Sequence, residues 1–179
     1  IWLDNVNVIS YKDSILLAQN EGLIVNGAPG TDEGSDLWMD NVLSQGCKVG
    51  FHVAGGFGGY YFHTVIAFGN DTNFLIDNGR VARRNREGFF SRHCVSDMCK
   101  AYGIRVNDPL ISNSYIQMDA NIGSAGVVSP ASPGVGLYIQ SFPNGRVHVN
   151  SAEIFNCISD GVRIDDASVT MQISPTTYI

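Results

Sequence analysis

The sequence predicts an all-β chain wound as a right-handed parallel β-helix, a solenoid of roughly six to seven coils. Three observations predict it. First, a short element of Gly, apolar residue, any residue, β-branched residue and turn recurs along the chain. Gly22-Leu23-Ile24-Val25-Asn26-Gly27, Gly50-Phe51-His52-Val53-Ala54-Gly55, Gly103-Ile104-Arg105-Val106-Asn107-Asp108 and Gly161-Val162-Arg163-Ile164-Asp165-Asp166 are close copies, and Asn73-Phe74-Leu75-Ile76-Asp77-Asn78 and Gly136-Leu137-Tyr138-Ile139-Gln140-Ser141 looser ones. Their starts at 22, 50, 73, 103, 136 and 161 fall at the spacing of a repeat array. Second, another element recurs between them with strand alternation. Ile1-Trp2-Leu3-Asp4-Asn5-Val6 closely matches Leu37-Trp38-Met39-Asp40-Asn41-Val42, and Ile116-Gln117-Met118-Asp119 and Val147-His148-Val149-Asn150 share its form. Phe62-His63-Thr64-Val65 and Phe90-Ser91-Arg92-His93 are weaker versions. Third, no helical period appears, and tight Asn-Gly or Asp-Gly hairpins between alternating runs are hard to find. Frequent hairpins are what the competing architecture, an antiparallel sandwich, requires.

Taken in order, residues 1 to 21 offer one strand, then Val8-Ile9-Ser10 and the short apolar run Ser14 to Ala18, which fits a buried strand or a helical turn equally. Residues 22 to 49 form a coil with an exposed Gly-, Asp- and Pro-bearing loop from Gly27 to Ser35. The coil of residues 50 to 72 holds Gly55-Gly56-Phe57-Gly58-Gly59-Tyr60-Tyr61, glycines that turn a corner beside large rings. Phe62 reads as core; Phe57 and Tyr61 fit a sugar-binding ring or an interior plug equally. Residues 73 to 102 carry the one basic cluster, Arg80, Arg83, Arg84 and Arg86, followed by Glu87. Guanidinium forks bind carboxylate or phosphate, so Arg84 is a candidate contact to an anionic glycan, against the plainer reading of a solvated loop. Two prolines interrupt residues 127 to 134, leaving Gly126 and Gly136 as alternative starts of the next coil. Residues 136 to 179 return to the pattern.

Bulk properties bound the possibilities. The chain of 179 residues is 44% hydrophobic and 16% charged, enough apolar material for one core with Gly, Ser, Asn and Thr on the surface. The formal charge of −6 carries no footprint of nucleic-acid binding. No apolar run approaches the ~20 residues of a membrane span. Residues 1–179 read as one β-helix domain that opens and closes inside a repeat, as an internal fragment of a larger protein would. Cys47, Cys99 and Cys157 precede the recurring Gly at similar distances, which places equivalent thiols in or near the interior as small hydrophobes. No CxxC pair exists and the histidines are scattered, so neither a metal nor another cofactor is expected.

Stacking coils turns sequence positions into columns. Aligned on their apolar anchors, the second elements give an outward column of Trp2, Trp38, His63, Ser91, Gln117 and His148, and another of Asp4, Asp40, Val65, His93, Asp119 and Asn150. A face with Trp, His and Asp side by side suits a polysaccharide groove, with rings for sugars and acids for hydroxyls or protons. The plainer reading packs the Trp residues under loops or against another subunit. Coil neighbours stand ~4.8 Å apart, so Asp4 and Asp40 approach the ~5 Å separation of a retaining glycosidase pair. Asp40 with Asp77, or Glu87 with Asp119, are cross-column combinations. The expected acid/base residues are Asp40, Asp77 and Glu87; the expected ligand contacts are Trp38, Tyr61, His63, Arg84 and Asp119. A column at the first element runs Asn26, Ala54, Asp77, Asn107, Gln140 and Asp165, where Asn and Asp also serve to tie neighbouring turns.

The repeated Gly-apolar-x-Val/Ile-Asn/Asp element, with Asn156-Cys157 leading into Asp160-Gly161, resembles the pectin-lyase-like right-handed β-helix superfamily over nearly the whole chain. Irregular coil lengths, long loops and low charge look most like bacteriophage tailspikes and related tail appendages. That resemblance implies a homotrimer on a virion tail or otherwise outside the cell, binding bacterial surface polysaccharide and depolymerising it as an endoglycosidase, without nucleic acid and without membrane insertion. The alternatives are a structural or receptor-binding β-helix with no catalysis and, further off, a secreted polysaccharide lyase. The Asp-rich Ca²⁺ clusters of the lyase branch are not visible here.

Overall fold

A computed structural model describes residues 2–9, 21–26, 36–54, 59–77, 87–109, 114–127 and 132–179. The loop readings at 27–35, 55–58 and 80–86, Arg84 among them, lie outside the described residues. The chain is all-β. Three strands make a coil, and the strands follow in order: β1 (Trp2–Asp4), β2 (Asn7–Ile9), β3 (Glu21–Asn26); β4 (Leu37–Asp40), β5 (Val42–Gln45), β6 (Val49–Ala54); β7 (Gly59–Phe62), β8 (Val65–Phe68), β9 (Thr72–Asp77); β10 (Glu87–Phe90), β11 (Val95–Asp97), β12 (Tyr102–Asn107); β13 (Tyr115–Met118), β14 (Asn121–Gly123), β15 (Val135–Ser141); β16 (Arg146–Val149), β17 (Glu153–Phe155), β18 (Val162–Ile164); and β19 (Thr170–Ile173), which begins a seventh coil. First strands form sheet A, second strands sheet B and third strands sheet C, every strand pairing in parallel with its equivalent one coil away. This is a parallel β-helix. Among the described residues no helix is long and apolar enough to cross a membrane.

The recurring Gly element is sheet C, and its alignment is the one the repeat predicts: Leu23 pairs with Phe51, Phe51 with Phe74, Phe74 with Ile104, Ile104 with Leu137 and Leu137 with Val162. Gly136, not Gly126, therefore opens the fifth of these strands. The physical reason for the glycine is crowding. A Cβ at Gly50, Gly103 or Gly136 would stand 2.7, 2.5 and 2.7 Å from the carbonyl oxygen of Asn73, Gly136 and Gly161 in the next coil. Where Asn73 replaces the glycine, its amide is buried and donates to Ser96 Oγ and the Asp97 carbonyl.

A corner signal recurs between sheets B and C. Gly46, Gly69, Met98, Ser124 and Asn156 each take the left-handed backbone one residue past the sheet B strand. Gly and Asn enter that region readily; at Met98 the amide donates to Asp97 Oδ1 of the same turn, and at Ser124 to the Phe155 carbonyl of the next coil. The next residue turns inward, which puts Cys47, Asn70 and Cys99 in the interior. Asn70 Oδ1 accepts from the Cys47 amide at 2.7 Å and its Nδ2 donates to Asn73 Oδ1 at 2.8 Å, tying two successive turns together. The four cysteines are free thiols, with Cys157 partly exposed.

Inward side chains fill the tube. Phe51 stacks on Phe74, and Phe90 meets Phe62 and Phe74 edge-on at 4.9 and 5.5 Å. All are essentially buried, each contributing on the order of 2 kcal/mol from apolar burial. Sheet A departs from the sequence alignment at one place. Leu37 pairs with Tyr60, Tyr60 with Gly88 and Gly88 with Ile116. Phe62 and Phe90 are thus partners of Met39 and Met118, two residues later than expected. Tyr60 occupies the room that Gly88 leaves, since a Cβ there would lie 2.3 Å from Tyr60 Cζ.

Candidate functional site

The two-residue shift redraws the outward columns of sheet A. The first reads Trp2, Trp38, Tyr61, Phe89, Gln117, His148 and Gln172. Tyr61 and Phe89 replace His63 and Ser91. His63 moves to the second column, because it follows Phe62, the partner of Met39, and so stands beside Asp40. Its backbone amide donates to the Met39 carbonyl, as the Asn5 amide does to Asp40 and the Asp119 amide to Phe90. Val65 lies instead at the start of β8, on sheet B and buried, and His93 in the turn after β10.

Between these columns lies a cleft of about 260 Å³. One wall is the aromatic column over four successive coils, Trp2, Trp38, Tyr61 and Phe89; the other is Asp40 and His63; Met39 and Phe62 form the floor. The rings of Trp2 and Trp38 stack at 5.9 Å between centroids, and those of Trp38 and Tyr61 at 4.2 Å, both pairs within 16° of parallel. This changes what the ladder offers. Trp38 has a ring on either side along the coil axis, so its faces are taken and the cleft meets its edge. Aromatic edges carry the positive end of the ring quadrupole and complement hydroxyl and ring oxygens. Trp2 and Trp38 remain 66% and 41% exposed, large apolar surface left facing solvent next to polar groups.

Across the cleft, His63 Nδ1 lies 3.2 Å from Asp40 Oδ1. The hydrogen bond from His63, followed by one from Thr64, holds the Asp40 carboxyl below its ordinary value, so Asp40 is a carboxylate at neutral pH. His63 and His93 rings meet edge-on at 5.8 Å. The Ser91 hydroxyl donates a short bond to the His63 carbonyl and anchors this turn. On the other side of the ladder, Tyr61 Oη lies 3.5 Å from Glu87 Oε2. Partial burial, then the charges of Asp36 and Glu87, push the Tyr61 hydroxyl up.

Of the expected site residues, Trp38, Asp40, Tyr61 and His63 are brought to one cleft, and Asp4 adjoins it as the register partner of Asp40. The cross-column combinations are kept apart. Asp77 ends a sheet C strand, 4.0 Å from His52, whereas Asp40 ends a sheet A strand. Glu87 and Asp119 stand at opposite ends of sheet A: Glu87 pairs with Tyr115, and four residues of strand, roughly 13 Å, separate Tyr115 from Asp119. Asp119 belongs to a second polar group, accepting from Gln117 Nε2 at 3.2 Å and from the Ser151 amide at 3.2 Å. Phe89 is a lining residue that the sequence alignment missed, because Gly88 gives no apolar anchor to set the register. Among the described residues, no group of three or more His, Cys, Asp or Glu is placed to hold a metal ion. No family model, curated protein or solved structure matches the chain.

Proposed function

We propose that this chain is a polysaccharide-recognising β-helix of tailspike type whose ligand lies along sheet A. The observation that carries the reading is the cleft itself: an ordered aromatic ladder spanning four coils, faced by an ionised carboxylate and an imidazole. Such a cleft offers ring edges to carbohydrate oxygen atoms and a strong acceptor to hydroxyl donors. Assembly as a homotrimer on a virion tail or another extracellular appendage belongs to the same reading and rests on the sequence resemblance.

Depolymerisation is the catalytic extension. Asp4 and Asp40 are register partners one coil apart, ~4.8 Å, near the ~5 Å of a retaining pair. Asp40, held ionised, suits the nucleophile or charge-stabilising role, with Asp4 as its register partner on the neighbouring coil. The second reading is a binding face without catalysis. It is favoured by the distance that separates Glu87, Asp77 and Asp119 from Asp40, which leaves Asp4 as the one candidate partner carboxyl described beside it.

The test is incubation of the purified protein with a panel of bacterial surface polysaccharides, following polymer length by size-exclusion chromatography and retention by co-elution. Shortening of one polymer, abolished in Asp40→Asn, establishes the enzyme. Retention without shortening, lost in Trp38→Ala, establishes the binding module. Neither behaviour with any polymer removes the proposal.

A further inference from the structure

We infer that the cleft on sheet A takes polysaccharide units that carry no acidic group: neutral, hydroxyl-rich sugars rather than uronates or sulfated and phosphorylated sugars. The inference rests on the proposed polysaccharide-binding role of that cleft and names the chemistry of its ligand. Asp40 forms part of the wall, and Asp4, exposed on the neighbouring coil, is its register partner. Asp36 and Glu87 border the other side of the ladder, near enough for both charges to act on the Tyr61 hydroxyl. A ligand in the cleft is thus flanked by carboxylates on both sides.

Among the described residues no Lys or Arg lines the cleft; Arg92 is exposed in the turn after β10, beside His93 and outside the lining. His63 is committed to Asp40. Arg146 lies two coils beyond Glu87 in the same column, with Tyr115 between them. Placing an acidic sugar beside these groups juxtaposes like charges and desolvates them, a penalty that selects against such ligands. A neutral sugar donates its hydroxyl protons to the same carboxylates in charge-assisted hydrogen bonds. The basic segment 80–86, which on sequence grounds suggested an anionic ligand, lies outside the described residues.

The experiment measures Kd for matched panels of neutral and uronate-bearing bacterial polysaccharides, at ionic strengths of about 0.01 M and 0.15 M, where the Debye length falls from ~30 to ~8 Å. The expected result is a neutral polymer bound with Kd changing less than about twofold between the two salts, as a contact without net ligand charge requires. Every acidic polymer should bind at least about tenfold more weakly at low salt, the gap narrowing as salt screens the repulsion. In the Asp4→Asn/Asp40→Asn double variant, checked for unchanged circular dichroism, the gap should shrink at either salt. An acidic polymer binding as tightly as the neutral ones, or more tightly, overturns this inference and leaves the polysaccharide reading standing. No binding of either class overturns both.

Discussion

Sheets A and C each carry stacked aromatic rings on the outside of the same tube, yet only one of them is open. On sheet C, Tyr102 stacks on Tyr138 at 5.2 Å, much as Trp38 does on Tyr61. There, however, Arg105 lies over both rings and Arg163 over Tyr138. Tyr138 Oη donates to Asp165 Oδ2 at 2.6 Å, Asp165 pairs with Arg163, and Arg105 donates to Gln140 Oε1 at 3.1 Å. Tyr138 is 8% exposed as a result. On sheet A no cation caps the ladder among the described residues, and a cleft remains beside it. An aromatic stack by itself is a way to hold coils together. It becomes a candidate site where space and a charged acceptor are left next to it.

The largest effect should come from the core that both faces share. Phe62→Ala removes a fully buried ring that touches Phe74 and Phe90, and should cost about 3–5 kcal/mol. Gly88→Val forces a side chain into the space of Tyr60 and should cost about 1–3 kcal/mol. Guanidinium denaturation measures both. A loss of under about 0.5 kcal/mol for Gly88→Val, the range of ordinary surface changes, would reject the sheet A register described here.

The paired substitutions Trp38→Ala and Tyr138→Ala separate the two faces. Tyr138→Ala breaks a capped, hydrogen-bonded stack and should lower stability by about 2 kcal/mol while leaving glycan retention intact. Trp38→Ala should do the reverse, weakening glycan binding at least about tenfold with a smaller change in the denaturation midpoint. Equal behaviour of the two variants in both measurements would erase the distinction between the faces.

Thiol labelling sharpens it further along the chain. Burial pushes the Cys94 thiol up to about 11 and the Cys99 thiol up to about 12. Cys157 is also raised, chiefly by burial, but is partly exposed. At pH 8 a thiol alkylating reagent should therefore modify Cys157 first and reach Cys94 and Cys99 only on unfolding. Mass spectrometry of peptides from the native protein reads the order directly.

How far the sequence carries this structure depends on which sheet is asked. Sheet C was legible because its glycine is required sterically: a carbonyl from the next coil occupies the place of a Cβ, so the marker sits at one fixed position of the coil. Sheet A was legible in its facing but not wholly in its register. The misalignment at Phe62 and Phe90 was two residues, and a strand repeats every two, so Phe62 and Phe90 stayed inward, whereas Ser91 and Val65, read as outward past the strand ends, are buried. Gly88 hid the true anchor of the fourth coil and Tyr60 disguised that of the third. The exchange of His63 for Tyr61 in the aromatic column followed, and with it the Asp40–His63 pair went unseen. Trp38, His63 and Asp40 were placed on one face by the column reading and Tyr61 was singled out from its Gly-rich loop, but the place of Tyr61 in the ladder and of His63 beside Asp40 needed the register. The mutual stacking that takes up both faces of Trp38 is a matter of rotamers, to which the residue pattern is blind.

The smallest expected effect is also the most specific, and it compares the two carboxylates that close each ladder. Asp40 and Asp165 both titrate below the ordinary aspartate value, Asp40 through its bond to His63 and Asp165 through Arg163 and then Tyr138. A lowered carboxyl pKa gives stability that is fully present above the ordinary value of 3.8 and is lost as pH falls through the folded-state value. Both carboxylates are exposed enough that this contribution is small. What differs is the partner. The guanidinium of Arg163 holds Asp165 through two nitrogens, whereas His63 reaches Asp40 through one ring nitrogen. In an NMR titration of the side-chain carboxyl carbons, His63→Gln should move the Asp40 titration back up toward the ordinary value, with Asp165 unchanged. If Asp40 in that variant titrates where it does in the parent, the imidazole is not what holds the carboxylate, and the charged wall of the cleft has another origin.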